Sequence, residues 1–185
     1  AAGHRGKGEY FIAEADEYMT CPITDRTPRF LHLQPKIAVI TNIEFDHPDE
    51  FYNLQEVKNA FLAFSKKIIS NGLLITCIDD PVVSSILPKF KNERIVTYGF
   101  SQRADYRIEK YYQGEKNIFM KVVNKNLIIG DLLLNIPGKH NLVNALAAAI
   151  VAREAGISWQ TIQSSLRDYQ GANRRFELIF RLNNI

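Results

Sequence analysis

Residues 37 to 49 read Ile37-Ala38-Val39-Ile40-Thr41-Asn42-Ile43-Glu44-Phe45-Asp46-His47-Pro48-Asp49, and no other stretch limits the possible folds so tightly. A mostly β-branched apolar run gives way at once to Asn, Glu, Asp and His, so a strand buried on both faces ends in groups that handle metals and protons. Open α/β sheets gather their ligands outside the carboxyl ends of their strands. The stretch therefore predicts a mainly parallel sheet and the edge of it where a site belongs.

Length and composition fit that reading. With 185 residues, 46% of them hydrophobic, the chain suits one well-buried core. One domain is expected over residues 1–170, with 171–185 as a linker and possible first strand of a further domain. The net charge is only +3, and its densest basic clusters are Lys66-Lys67, Lys89-Phe90-Lys91 and Arg174-Arg175. No basic stripe interleaved with aromatics exists, which argues against nucleic acid. Cys21 and Cys77 make no metal-ligand spacing and point to a reducing, cytoplasmic setting, although a disulfide between them stays open. No apolar run approaches the ~20 residues of a membrane span, and Ala1 to Gly8 lacks the apolar centre of a signal peptide. Without an initiator Met, the chain is expected to be part of a longer one.

Along the chain, Glu9 to Ala15 reads as a first buried strand followed directly by Asp16 and Glu17. Pro22, Pro28 and Pro35 predict an irregular loop over 18–35. After the strand at 37–41, Leu54, Val57, Phe61, Phe64, Ile68 and Ile69 recur at helical spacing, predicting a helix from Leu54 to Ser70 that Asn71-Gly72 ends. Leu73 to Ile78 is a strand, Asp79 or Asp80 caps a short helix through Leu87, and Arg94 to Tyr98 is a strand. Three β-rich runs around 106–112, 118–123 and 127–136 have connections too short for helical crossovers, so they form an antiparallel meander beside the main sheet. Gly130-Asp131 reads as a bulge or a turn. A helix over 141–155 and another capped by Ser158, with Trp159, Ile162, Leu166 and Tyr169 on one face, complete the domain. The fold class is α/β, a mostly parallel sheet flanked by helices with a small antiparallel three-stranded meander.

Four clusters could carry chemistry. Glu14, Asp16 and Glu17 read either as a solvated acidic loop or as oxygen ligands for a hard cation such as Mg²⁺. Asn42, Glu44, Asp46, His47 and Asp49 end the neighbouring predicted strand, where one cation could bridge both groups. Gly138-Lys139-His140-Asn141 opens a helix, with Asn144 one turn on from Asn141; ordinary capping and the binding of a base or phosphate both fit. Arg174 and Arg175 follow a helix stop at Gly171 and suit either solvent or a phosphate. Gly3-His4-Arg5-Gly6-Lys7-Gly8 is not a phosphate loop, because no Ser or Thr follows Lys7 and a strand rather than a helix comes next.

Taken in order, Glu14-Ala15-Asp16-Glu17, Thr41 to His47, Tyr98-Gly99-Phe100, Pro137 to Asn141 with Asn144-Ala145, and Gly171 with Arg174-Arg175-Phe176 resemble the central ATPase domain of the Mur ligases. Within that family, Leu31 to Pro35 and Asp79 to Val82 look like the branch that joins L-alanine to UDP-N-acetylmuramate, the uridine-linked sugar acid of peptidoglycan synthesis. Glu17-Tyr18, Asp25-Arg26 and Phe45-Asp46-His47 look more like the branch that adds a murein tripeptide. The resemblance implies ATP and Mg²⁺ as cofactors, with Glu14 and His47 ligating the metal and Asn42 in the same pocket. It implies His140, Asn141 and Asn144 at the adenine end of ATP, and Arg175 reaching the phosphates or the ribose. The family's phosphate loop is expected before residue 1, and its amino-acid-binding and nucleotide-sugar domains are expected outside this stretch. Leu62 stands about where some relatives carry a carbamylated lysine. The alternative from another class is a non-catalytic nucleotide- or partner-binding module.

Overall fold

The computed structural model describes residues 6–21 and 23–171. Its centre is a six-stranded sheet in sequence order, β3 (Ile37–Ile40), β4 (Leu73–Cys77), β5 (Ile95–Gly99), β6 (Tyr106–Gln113), β7 (Ile118–Asn124) and β8 (Leu127–Leu134). β3, β4, β5 and β6 pair in parallel, whereas β6, β7 and β8 pair antiparallel. The predicted meander therefore continues the sheet and does not lie beside it. β6 begins level with the end of β5, pairing only Tyr98 with Tyr106 and Gly99 with Arg107, so the link needs no crossover helix. Asp105 closes that link by accepting from both the amide and the hydroxyl of Thr97, at 2.9 and 2.8 Å.

Helices cover both faces. α1 (Leu54–Ser65) and α2 (Pro81–Ile86) share one core with Ala38, Ile40 and Leu74. α3 (Lys139–Glu154) and α4 (Trp159–Asp168) share the other with Ile75, Tyr98, Met120 and Leu132. Alternate residues of β4 thus serve opposite layers, and all five are buried. The caps follow the sequence: Asn53 accepts from Glu56, Asp80 from Val83 and Ser158 from Thr161. α1 is shorter than its periodicity predicted, stopping at Ser65. Beyond it, Asn71 turns the chain with φ of 61°. Gly130 lies at a bulge, where the pairing shifts between Val122 and Val123. A Cβ there would come within 2.4 Å of Trp159 Nε1, so the indole of α4 requires glycine.

Two expectations fail near the start. Residues 9–15 form no strand: Tyr10, Phe11 and Ile12 are 65, 90 and 88% exposed and make no ladder. Apolar β propensity alone cannot make a strand when no described neighbour offers its backbone groups partners. The predicted loop instead contains a short hairpin, β1 (Met19–Cys21) with β2 (Asp25–Pro28), and a 3-10 turn at Arg29–His32. Cys21 and Cys77 are both free thiols; burial pushes the Cys77 thiol up, whereas a hydrogen bond with the Thr24 side chain lowers that of Cys21. Among the described residues no helix is long and apolar enough to cross a membrane. The tail at 172–185, including the predicted linker and Arg174 and Arg175, lies outside the described residues.

One core residue yields a direct expectation. Tyr98 is fully buried, and its hydroxyl has no hydrogen-bond partner among the described residues. Burial pushes its pKa well above the ordinary phenol value. Tyr98→Phe is expected to raise unfolding free energy by about 1 kcal/mol, since it removes an unpaired buried hydroxyl. Because the folded pKa exceeds the unfolded one, wild-type stability holds below about pH 10 and falls as the unfolded phenol ionises above it; the variant lacks that component. Urea titrations at pH 7 and pH 10.5 check both, and a less stable variant would reveal a partner for the hydroxyl.

Candidate active site

The parallel strands set the geometry. β3, β4 and β5 run the same way, so Asn42 to His47 after β3, Asp79 after β4 and Phe100 after β5 lie on one edge of the sheet. The first turn of α3 reaches the same edge, with the Lys139 ammonium 4.6 Å from the centre of the Phe100 ring. The other end of α3 points away, where the Tyr10 hydroxyl donates to the carbonyl of Ala155. From there the chain crosses to the carboxyl edge and delivers Glu17 to His47. Strand direction and the start of α3 thus bring two of the four sequence clusters to one rim, and the irregular segment before Tyr18 carries the acidic cluster to it.

His47 is the best-fixed member. Its Nε2 lies 3.0 Å from Glu17 Oε1 and its side chain is 20% exposed. Tyr18 packs on the imidazole with ring centroids 4.4 Å apart. Buried Ile43 and Phe51 bracket the loop, and the His47 carbonyl accepts from the amides of Glu50 and Phe51. Glu50, itself buried, accepts from the amide of Met19 at 2.9 Å and so ties the hairpin to this loop. Asp16 holds the acidic turn by accepting from Tyr18 N and pairing with Arg29 at 2.9 Å.

The other predicted residues lie more openly. Glu14 is exposed, and no hydrogen bond or ion pair among the described residues joins it to His47; the carboxylate that meets the imidazole is Glu17. Asn42 is exposed and donates to Glu44 at 3.2 Å. His140 and Asn144 are exposed at the start of α3, while Asn141 donates to the carbonyl of Pro137. Gly138 occupies the cap position of α3 without a side-chain hydrogen bond, and the helix begins at Lys139, two residues before the predicted start at Asn141. Arg175 lies outside the described residues. Among the described residues no three His, Cys, Asp or Glu side chains converge as a metal cage. The Glu17–His47 pair fits Mg²⁺ only as a cation that takes one or two protein groups and completes its shell with phosphates and water.

Sequence reading missed the device that fixes the middle of this rim. Asp79 accepts from Phe100 N at 2.6 Å and Ser101 N at 2.9 Å, tying the end of β4 to the loop after β5. Gly99, with φ of 147°, makes room for it. A glycine one residue beyond an apolar run, with an aspartate closing the strand before it, is the available signal.

An α/β domain with carboxylates, an imidazole and a helix start on the carboxyl rim of its parallel strands belongs to the class that handles ligands at strand ends. The chain is a member of the Mur ligase family, since residues 4–152 match the family model for the Mur ligase middle domain. Among solved structures it is similar to the UDP-N-acetylmuramate:L-alanyl-γ-D-glutamyl-meso-diaminopimelate ligase of Neisseria meningitides. That match has 26% identity and a TM-score of 0.74 over 87% of this chain and 48% of that one. The UDP-N-acetylmuramate-alanine ligase MurC of Thermotoga maritima matches at 25% identity and a TM-score of 0.68, over 81% of this chain and 33% of the other. MurF ligase of Thermotoga maritima in complex with ADP shares the fold at 18% identity and a TM-score of 0.62, over 75% of this chain and 31% of that one. The chain spans about half the length of the first of these and about a third of the others.

Proposed function

We propose that this chain is the ATP-handling middle domain of a ligase of peptidoglycan precursor synthesis that joins L-alanine to UDP-N-acetylmuramate. The observation that carries the reading is the shared rim: His47 with Glu17 after β3, and the first turn of α3 across the same edge. In the reaction, a muramate carboxylate oxygen takes the γ-phosphoryl group of ATP, releasing ADP. The amino group of alanine then attacks the acyl carbon of the acyl phosphate, losing a proton as the amide forms and phosphate leaves. Little of this is covalent work for the protein, which positions the reactants and stabilises developing charge.

Within this reading, His47 and a carboxylate of the acidic turn, Glu14 or Glu17, hold Mg²⁺, which supplies charge neutralisation on the phosphates. Asn42 faces the same pocket. Glu17 and Tyr18 keep the imidazole in one orientation on the rim. His140, Asn141 and Asn144 hold the adenine end, and Arg175 reaches the ribose or phosphates. Addition of a murein tripeptide instead of alanine is the second reading, favoured by the Neisseria match above and by a murein peptide ligase of Psychrobacter arcticus with 25% identity.

Phosphate release by the complete protein, given ATP, Mg²⁺, UDP-N-acetylmuramate and each amine in turn, tests both. L-alanine is expected to stimulate release and the tripeptide to leave it near background. Stimulation by the tripeptide alone selects the second reading, and stimulation by neither removes the ligase assignment.

A further inference from the structure

Among the described residues Glu50 is the only charged one that the fold buries, at 7% exposure, and no ion pair there includes it. A carboxylate drawn out of water without a cation beside it is costly unless hydrogen bonds replace its hydration. Its neighbour Phe51 packs into the core under α1 and α2, so packing alone asks for no charge at this place.

The polar contacts of Glu50 all lead to the rim. Its amide donates to the His47 carbonyl at 3.0 Å, its carbonyl accepts from Arg26 Nη2 at 3.0 Å, and its Oε2 accepts from the Met19 amide at 2.9 Å. Glu50 follows His47 by three residues, and Met19 follows Glu17 by two and Tyr18 by one. The same two segments are therefore joined twice: inside by Glu50 with Met19, and outside by His47 with Glu17 and Tyr18. The two joints differ in strength. The Glu17 carboxylate and the imidazole are both partly open to water, which weakens their attraction. A buried amide bonded to a charged acceptor is held far better, and its loss leaves a backbone N–H without a partner. The inner joint thus sets where the outer one can form.

We propose that Glu50 is a positioning residue: by holding the Met19 amide it keeps Glu17 and Tyr18 against the His47 imidazole, and so presets that ring for the Mg²⁺ of the proposed reaction. The Mg²⁺ step rests on the ligase reading given above; the alignment of Glu17 with His47 does not. Ring-nitrogen NMR of the complete protein, ¹⁵N-labelled at histidine and free of metal at about pH 8, reads that alignment. The His47 signal is assigned by its loss in His47→Ala. An ionised carboxylate only accepts, so wild-type His47 is expected to show one tautomer, protonated at Nε2. Glu50→Ala is expected to average that signal between the two tautomers. Glu50→Asp, charged but one methylene short of Met19, is expected to do the same, whereas Glu50→Gln keeps an oxygen in reach and the single tautomer. In the phosphate-release assay, the Mg²⁺ needed for half-maximal rate is expected to rise about tenfold in the alanine and aspartate variants and to stay near wild type in Glu50→Gln. Should Glu50→Ala fail to fold, the aspartate and glutamine variants decide alone. An unchanged His47 signal in folded Glu50→Asp, an averaged one in Glu50→Gln, or an unchanged Mg²⁺ requirement in Glu50→Asp overturns the inference. Absence of phosphate release from wild type with either amine overturns the ligase reading, and the ring signals still decide what Glu50 holds in place.

Discussion

His47→Ala is expected to slow the ligase reaction by at least about 100-fold, the usual scale for losing one preorganised electrostatic group from an active site. The fold should notice far less. The side chain is partly exposed, and its contacts are the Glu17 carboxylate at 3.0 Å, the exposed Asp46 carboxylate at 4.0 Å and one tilted aromatic ring. Such contacts are together worth about 1 kcal/mol, which moves the melting temperature of a domain this size by roughly 2–4 °C. Phosphate release and a thermal melt on the same preparation give the comparison. If activity is lost only in proportion to folded protein, His47 is a structural residue and the assignment of the rim fails. Glu17→Gln and Glu14→Gln in the same assay distinguish the carboxylate that meets the imidazole from the one that the family resemblance selects, and the larger loss identifies the working group.

Gly99→Ala is expected to be among the most damaging single-methyl additions, costing about 3 kcal/mol. At φ of 147° the backbone occupies a region that only glycine enters easily, and the added Cβ would lie 2.5 Å from Asp79 Oδ2 and 2.6 Å from Asp79 Cγ. The carboxylate cannot swing aside freely, because its two oxygens each hold an amide of the next loop. Clash and strain therefore act together. A urea titration reads the loss, and the double variant with Asp79→Ala should lose less than the sum of the two single changes, because the clash disappears with the carboxylate. A loss below about 0.5 kcal/mol would mean that the latch adds nothing to the fold.

Much of this architecture can be read from residue patterns because the patterns are local. The helical spacing of Leu54, Val57, Phe61 and Phe64 and the unbroken apolar run from Leu73 each report a period that one element satisfies alone. Strand direction follows from connection length, and with it the rim that gathers Asn42, Asp79 and Phe100. Tyr10 to Ile12 misled because β propensity describes a surface that fits a sheet and cannot say whether a neighbouring strand is there. The hairpin from Met19 to Pro28 was hidden by its prolines and polar residues, and it depends on Glu50, which takes the Met19 amide from a distant loop. Which of three nearby carboxylates meets His47 is settled by backbone path, and spacing gives no hint of it.

The outer side of β3 has a practical consequence. Ile37 to Ile40 carry neither charge nor proline, and among the described residues no strand pairs along that side. Natural sheets protect such borders with lysine, proline or a bulge, because unpaired amides and carbonyls recruit whatever extended chain comes near. In concentrated solution this four-residue border offers its unpaired backbone groups to an extended segment of a neighbouring molecule, while the side chains of Ile37 and Val39 stay packed against the core.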